Sequence, residues 1–273
     1  MTNIYKLSTR GFIFLTSIIL FIIPLQAQDF EVAPVLVAFD GNPGEIQTQS
    51  LTLRNYGSQE QRFSLNLSDY QVNEDGSKQS IEPGSSDRTL ADWITINPSF
   101  VDLLPNEEAK VELIMRVPRT GFSTRWGMIQ VEVAREQLPS EADKQLATGV
   151  VIVPRIVVLV KQSPRSNQNF SGRVSGLKEV ESKGNAYKSF EALLENTGDK
   201  ILDAKAFLAL ANMESAEEQV FNSKSVSVYP GQKLKVELSL AEKPAPGQYA
   251  LAFLMDYGKR SAIEGAQLLL EVK

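Results

Sequence analysis

The chain is 273 residues long and acidic, with 28 Lys plus Arg against 33 Asp plus Glu for a net charge of −5, and it contains neither histidine nor cysteine. Those two absences remove the usual general base near neutral pH, the thiolate nucleophile, the commonest zinc ligands and every disulfide, so most hydrolase mechanisms lose a member. An acidic chain without a basic stripe also gains none of the counterion release that drives nucleic-acid binding, which sets nucleic acid aside as a partner.

In chain order, Lys6 and Arg10 precede an apolar run from Gly11 to Ile23, followed by Leu25-Gln26-Ala27. This is the pattern of a secretory signal peptide, residues 1–27, cut after the small residue Ala27. The run of about 13 apolar residues falls short of the roughly 20 that a spanning helix needs, so the mature form is expected not to span a membrane. Its expected location is periplasmic or secreted. Removing residues 1–27 takes away two cations and no acid, leaving a net charge of −7.

Beyond the leader, one signature occurs twice. Leu53-Arg54-Asn55-Tyr56-Gly57 is followed by Pro105-Asn106-Glu107 and Lys110-Val111-Glu112-Leu113, and Leu194-Glu195-Asn196-Thr197-Gly198 by Pro230-Gly231-Gln232 and Lys235-Val236-Glu237-Leu238. Each copy reads as a strand ending in an Asn-x-Gly turn, then a second turn feeding a strand of alternating apolar residues. Period-two alternation makes those strands half buried, so each unit needs a second sheet. The first copy carries 16 more residues between its landmarks than the second, and Tyr70 to Arg88 is the place for them, with Asp75-Gly76 as a hairpin turn.

The first unit is expected to place strands near 30–37, 48–55, 61–69, 91–97, 109–117, 125–135 and 148–161. The polar segment Ser163 to Asn169 reads as a linker. The second unit then gives strands near 170–178, 187–195, 201–210, 219–228, 232–240, 248–257 and 265–272. The fold class is therefore all-β, two tandem immunoglobulin-like β-sandwich domains after a signal peptide, with the first domain at 28–162 and the second at 163–273.

Candidate chemistry along these units is thin. Ser175-Gly176-Leu177-Lys178 has the spacing of a serine nucleophile and lysine base, but it sits in an expected strand and not at a helix start. Glu107-Glu108 and Glu217-Glu218 are neighbours, which in a strand point to opposite faces and cannot share a substrate. Asp69, Asn73 and Asp75 resemble part of a calcium loop without its spacing or its terminal bidentate Glu. Trp93 reads as core between two sheets, whereas Trp126, beside Arg125, leaves both core and sugar stacking open. No catalytic residue, cofactor or metal is assigned.

The segment that stands apart is Val150 to Val160, in which only Pro154 and Arg155 are not branched or aliphatic. A strand this apolar on both faces must be covered on both. Pro154 cannot donate to a ladder, which favours an edge, and a long apolar edge is an aggregation hazard or a binding site. The alternative is a strand that bridges into the seam between the units and binds nothing.

Several of these features resemble the periplasmic pilus chaperones, the PapD-like family: two tandem immunoglobulin-like units, an export signal, the opening strand Val35-Leu36-Val37-Ala38-Phe39-Asp40-Gly41, the Leu51-x-Leu53-x-Asn55 strand, and Phe100 to Val117 as strand-turn-strand. The resemblance covers most of residues 30–162 and only the general plan of the rest. It implies that the last strand of the first domain, residues 148–160, is lent to an incomplete subunit by β-strand addition, with Val150 and Ile152 as the apolar side chains offered. Backbone pairing adds about 0.5–1.5 kcal/mol per hydrogen bond and each buried Val or Ile roughly 1.5–3 kcal/mol before ordering costs. The family also holds its subunit's C-terminal carboxylate with an arginine on the first strand and a lysine on the last. Those positions are Leu36 and Val157 here, and Arg155 lies on the same strand face as Val157.

The expected function is an exported chaperone-like binding protein for a pilin-like or other surface subunit, with Val150, Ile152, Arg155 and Val157 binding the partner and no enzyme activity. The alternative is a structural or adhesive cell-envelope module that binds a surface protein or glycan, since the first domain's turns also resemble those of WxL-interacting surface proteins. In that reading Trp126 and Arg125 would meet the glycan.

Overall fold

The computed structural model describes residues 29–134, 154–182, 184, 186–221, 223–258 and 263–273, which form strands, turns and no helix. The first sandwich packs two sheets. One is ordered β1 (Phe30–Ala33), β3 (Ile46–Asn55), β8 (Glu108–Arg116), β6 (Ile94–Asn97). The other is ordered β2 (Leu36–Phe39), β10 (Arg155–Gln162), β9 (Arg125–Val133), β4 (Gln61–Val72), β5 (Lys78–Ile81), with β7 (Phe100–Leu103) on the side of β4. Alternation puts Leu51, Leu53, Val111, Leu113 and Met115 of the first sheet against Ile129, Val131, Val158 and Val160 of the second, and all are buried. Trp93 lies in this core, as its sequence context suggested.

The expected single strand over 30–37 is two strands in different sheets. Pro34 has no N–H to continue the β1 ladder, so the chain leaves β3 after Ala33 and re-enters as β2, parallel to β10 with Leu36 opposite Leu159. The strand expected at 91–97 begins at Ile94, because Trp93 and Ile94 both donate backbone bonds to the carbonyl of Leu90 in a turn. Within the 16-residue excess, β4 runs on to Val72 and turns through Asn73–Ser77 into β5; Gly76 supplies the positive φ of 84° that the turn requires.

The second sandwich packs a three-stranded sheet, β11 (Gly172–Val180), β12 (Lys188–Asn196), β16 (Lys233–Leu240), on a sheet ordered β14 (Glu218–Val220), β13 (Leu202–Asn212), β17 (Gly247–Asp256), β18 (Glu264–Val272), with β15 (Lys224–Val228) also on β13. The strand expected at 219–228 is thus two short ones. Phe190, Leu194, Leu208, Leu251, Phe253 and Met255 fill this core.

The duplicated signature has one structural meaning in both copies. Asn55 is buried at the end of β3, where its Nδ2 donates to the carbonyls of Gln59 (2.9 Å) and Leu103 (3.0 Å) while its Oδ1 accepts from the N–H of Gly57 (2.8 Å). Asn196 at the end of β12 donates to Lys200 and Val228, both at 2.7 Å, and accepts from Gly198 at 3.0 Å. Each Asn thereby fastens its own turn to the end of a strand on the facing sheet, Leu103 of β7 in the first copy and Val228 of β15 in the second.

The segment after β10 is pinned to the first sandwich. Ser163 and Arg165 donate backbone bonds to Phe39 and Asp40, and the Arg165 guanidinium pairs with Asp40 (2.8 Å) and Glu45 (2.6 Å). Between the sandwiches, Tyr70, Trp126, Met128 and Tyr229 form a third buried cluster, with Leu159 and Ile201 against it. Beside it Arg88 pairs with Asp199, whose other carboxylate oxygen accepts from the Thr124 N–H (3.2 Å) and the Asn167 side chain (2.7 Å).

Candidate functional site

The candidate site is built on β10. Its antiparallel neighbour β9 runs along all of it, from Arg155 opposite Glu132 to Gln162 opposite Arg125. Its parallel neighbour β2 pairs only with Leu159 to Gln162, with Leu159 N–H donating to the Val35 carbonyl. The expected edge is therefore confined, within the described residues, to Arg155–Val158, where the β2 ladder has not begun. In a strand the N–H and C=O of one residue point the same way and alternate along the chain. Since the Leu159 N–H points toward β2, those of Arg155 and Val157 point toward this open stretch, whereas those of Ile156 and Val158 point toward β9.

The two faces of β10 have different fates. Val158 and Val160 are fully buried in the first core, Ile156 packs against it, and the buried Gln162 amide donates to the Gly41 carbonyl at 2.6 Å. On the other face Arg155 is exposed and held across the ladder by Glu132 (Nε 3.0 Å, Nη2 2.8 Å), and Val157 is 38% exposed. Further along that face, Leu159 is half-buried against the cluster between the sandwiches. Leu36, opposite Leu159 on β2, is 53% exposed. Arg155, Val157 and Leu159 share a groove of about 420 Å³ with Met128 and Gln130 of β9 and with Lys78 and Ser80 of β5.

Among the expected partner-binding residues, the structure brings Arg155 and Val157 together on one exposed face, and Val150 and Ile152 lie outside the described residues. Sequence reasoning missed Lys161. It continues the outward face of β10 toward the second sandwich, where its Nζ lies 3.6 Å from the Asp203 carboxylate of β13. The alternation that paired Arg155 with Val157 also reaches Lys161, but the register against β2 was needed to see that it, rather than Arg155, faces the seam.

Trp126 is not open to a sugar. It is buried, its Nε1 donates to the Tyr70 carbonyl at 3.2 Å, and its ring meets Tyr229 edge-on at 5.0 Å. Arg125 donates to the Thr89 carbonyl and lies 4.5 Å over the Trp93 ring. The stacking role is corrected accordingly: both side chains are spent inside the molecule. The partial calcium pattern is also used locally, Asp69 accepting from Thr89 Oγ1 (2.8 Å) and Ser86 N–H (3.1 Å), and Asp75 capping the N–H of Ser77 (2.8 Å). Ser175 and Lys178 flank a bulge in β11 at Gly176, and Lys178 pairs with Glu191 at 3.2 Å.

No family model matches the chain, and no curated protein matches it. Solved structures do. A chain from the chaperone–tip adhesin complex of CFA/I fimbriae biogenesis matches with a TM-score of 0.50 at 10% identity, over 90% of this chain and 100% of that one. The class 5 fimbriae chaperone CfaA matches with a TM-score of 0.47 at 10% identity, over 88% and 98%. The CsuC–CsuE chaperone–tip subunit pre-assembly complex from the Csu pili of Acinetobacter baumannii matches with a TM-score of 0.42 at 13% identity, over 77% and 90%. At such identities the first of these likenesses speaks to architecture. The chain has the two-domain, immunoglobulin-like fold of the PapD-like fimbrial chaperones.

Proposed function

We propose that this chain is an exported, non-catalytic chaperone that holds an incomplete pilin-like or other surface subunit by β-strand addition along residues 148–160, using Val150, Ile152, Arg155 and Val157 and no cofactor. The observation that carries this reading is that, among the described residues, no strand pairs the outer side of β10 at Arg155–Val158, with Val157 exposed beside it and Leu36 exposed on the neighbouring strand. Extended backbone groups without a ladder partner are what an added strand needs, and an apolar side chain beside them supplies the burial. The fold is shared with a structure that contains a chaperone with its tip adhesin, which supports a fimbrial subunit as the client. Residues 1–27 are the export signal, residues 28–162 and 163–273 the two domains, and the destination is the periplasm or the exterior. Among the described residues no helix is long and apolar enough to cross a membrane.

Capture of envelope proteins by the full mature chain tests this. Val157→Asp combined with Val150→Asp and Ile152→Asp is expected to abolish co-purification of the client while the thermal transition stays near wild type, because Val157 is not part of the core. Undiminished capture by that variant would place binding elsewhere and favour a structural or adhesive module that recognises a surface protein through another face.

A further inference from the structure

We infer that the β4–β5 hairpin is an intramolecular strut that covers the start of the outer edge of β16, at Leu234 and Lys235, and fixes the angle between the two sandwiches. Among the described residues β16 is the last strand of its three-stranded sheet, paired to β12 on one side only. On its other side the N–H of Lys235 donates to the carbonyl of Glu74 in the hairpin turn at 2.7 Å. Next to that bond, the Gln232 side chain is used at both ends: its Nε2 donates to the Asn73 carbonyl at 2.8 Å, and its Oε1 accepts from the Tyr229 N–H at 2.9 Å. Gly76 comes so near Leu234 that a Cβ there would lie 3.4 Å from Leu234 Cδ1.

At the hairpin's base the contact becomes a packed one. The hydroxyls of Tyr70 and Tyr229 share a hydrogen bond of 2.9 Å, and Lys78 Nζ lies 5.6 Å over the Tyr229 ring. The 16 residues by which the first repeat exceeds the second thus include the segment that reaches across. An uncovered edge strand is a template for another chain, and here the hairpin covers the start of that edge. The same hairpin supplies Lys78 and Ser80, one wall of the groove along β10. Its seating therefore places one wall of that groove.

The test needs no client, so its outcome is separate from that of the proposed function. The chain has no native cysteine, so Glu60→Cys and Glu242→Cys, both exposed and one in each sandwich, take spin labels without background. The full mature chain is expected to give one narrow interlabel distance. Replacing residues 73–77 by a two-residue Asn-Gly turn, which keeps β4 paired to β5, is expected to broaden the distribution and to speed exchange of the Lys235 amide roughly tenfold or more. Lys235→Pro, which removes only the donor and is tolerated on an edge strand, serves as the second variant and is expected to broaden the distribution too. Unchanged distance distributions in both variants, each with a wild-type circular dichroism spectrum, would overturn the strut. An unchanged Lys235 exchange rate in the shortened variant would overturn the edge cover.

Discussion

Asn55 and Asn196 show how one side chain closes a sandwich. Each is buried and holds two carbonyls and one N–H with a single amide, so truncation removes three hydrogen bonds at once. Asn55→Ala and Asn196→Ala are each expected to lower stability by about 2–4 kcal/mol in urea unfolding. A cost below that of an ordinary surface substitution would show that the bracket is not structural. The Asn-x-Gly turns were legible in the sequence, but their task was not, because the carbonyls they reach lie 48 and 32 residues away. Tyr70 and Tyr229 carry a second residue-scale consequence. Burial pushes both hydroxyls above their ordinary value of 10.0, with the neighbouring tyrosine adding to the rise at Tyr70. Groups that titrate higher folded than unfolded contribute stability that is complete below pH 10 and is lost as pH rises through the folded values. The thermal transition is therefore expected to fall above pH 10, and less steeply in the Tyr70→Phe, Tyr229→Phe double variant; equal slopes in the two proteins would contradict this.

At the scale of the element, β10 illustrates what alternation does and does not tell. Its apolar run predicted a strand covered on both faces, and the core side is as expected, with Val158 and Val160 fully buried. The other face divides along its length, Leu159 going to the seam and Val157 to solvent. That division depends on where β2 begins, and Pro34, read as lying within a continuous strand, is what moves β2 into this sheet. Val158→Asp puts a carboxylate into the first core and is expected to cost more than about 4 kcal/mol or prevent folding, whereas Val157→Asp is expected to stay within about 0.5 kcal/mol of wild type. Denaturant midpoints of the two variants check this, and similar losses in both would mean that the faces are assigned the wrong way round.

For the molecule as a whole, the duplicated signature disclosed two β-sandwiches before any coordinates, since alternation and turn residues are local properties. The seam between them was not legible. Trp126 stayed open between core and sugar stacking, and the residues after Tyr70 read only as an insertion with a hairpin turn, because their partners, Tyr229, Gln232 and Lys235, belong to the other repeat. The claim on which the functional account turns is that another polypeptide extends the sheet at the open stretch of β10. Residue-resolved amide exchange of the mature chain, alone and with its captured envelope client, tests that most directly. Strand addition predicts new protection at the Arg155 and Val157 amides with Val158 and Val160 unchanged. Client binding that leaves Arg155 and Val157 exchanging as in the free chain would contradict it.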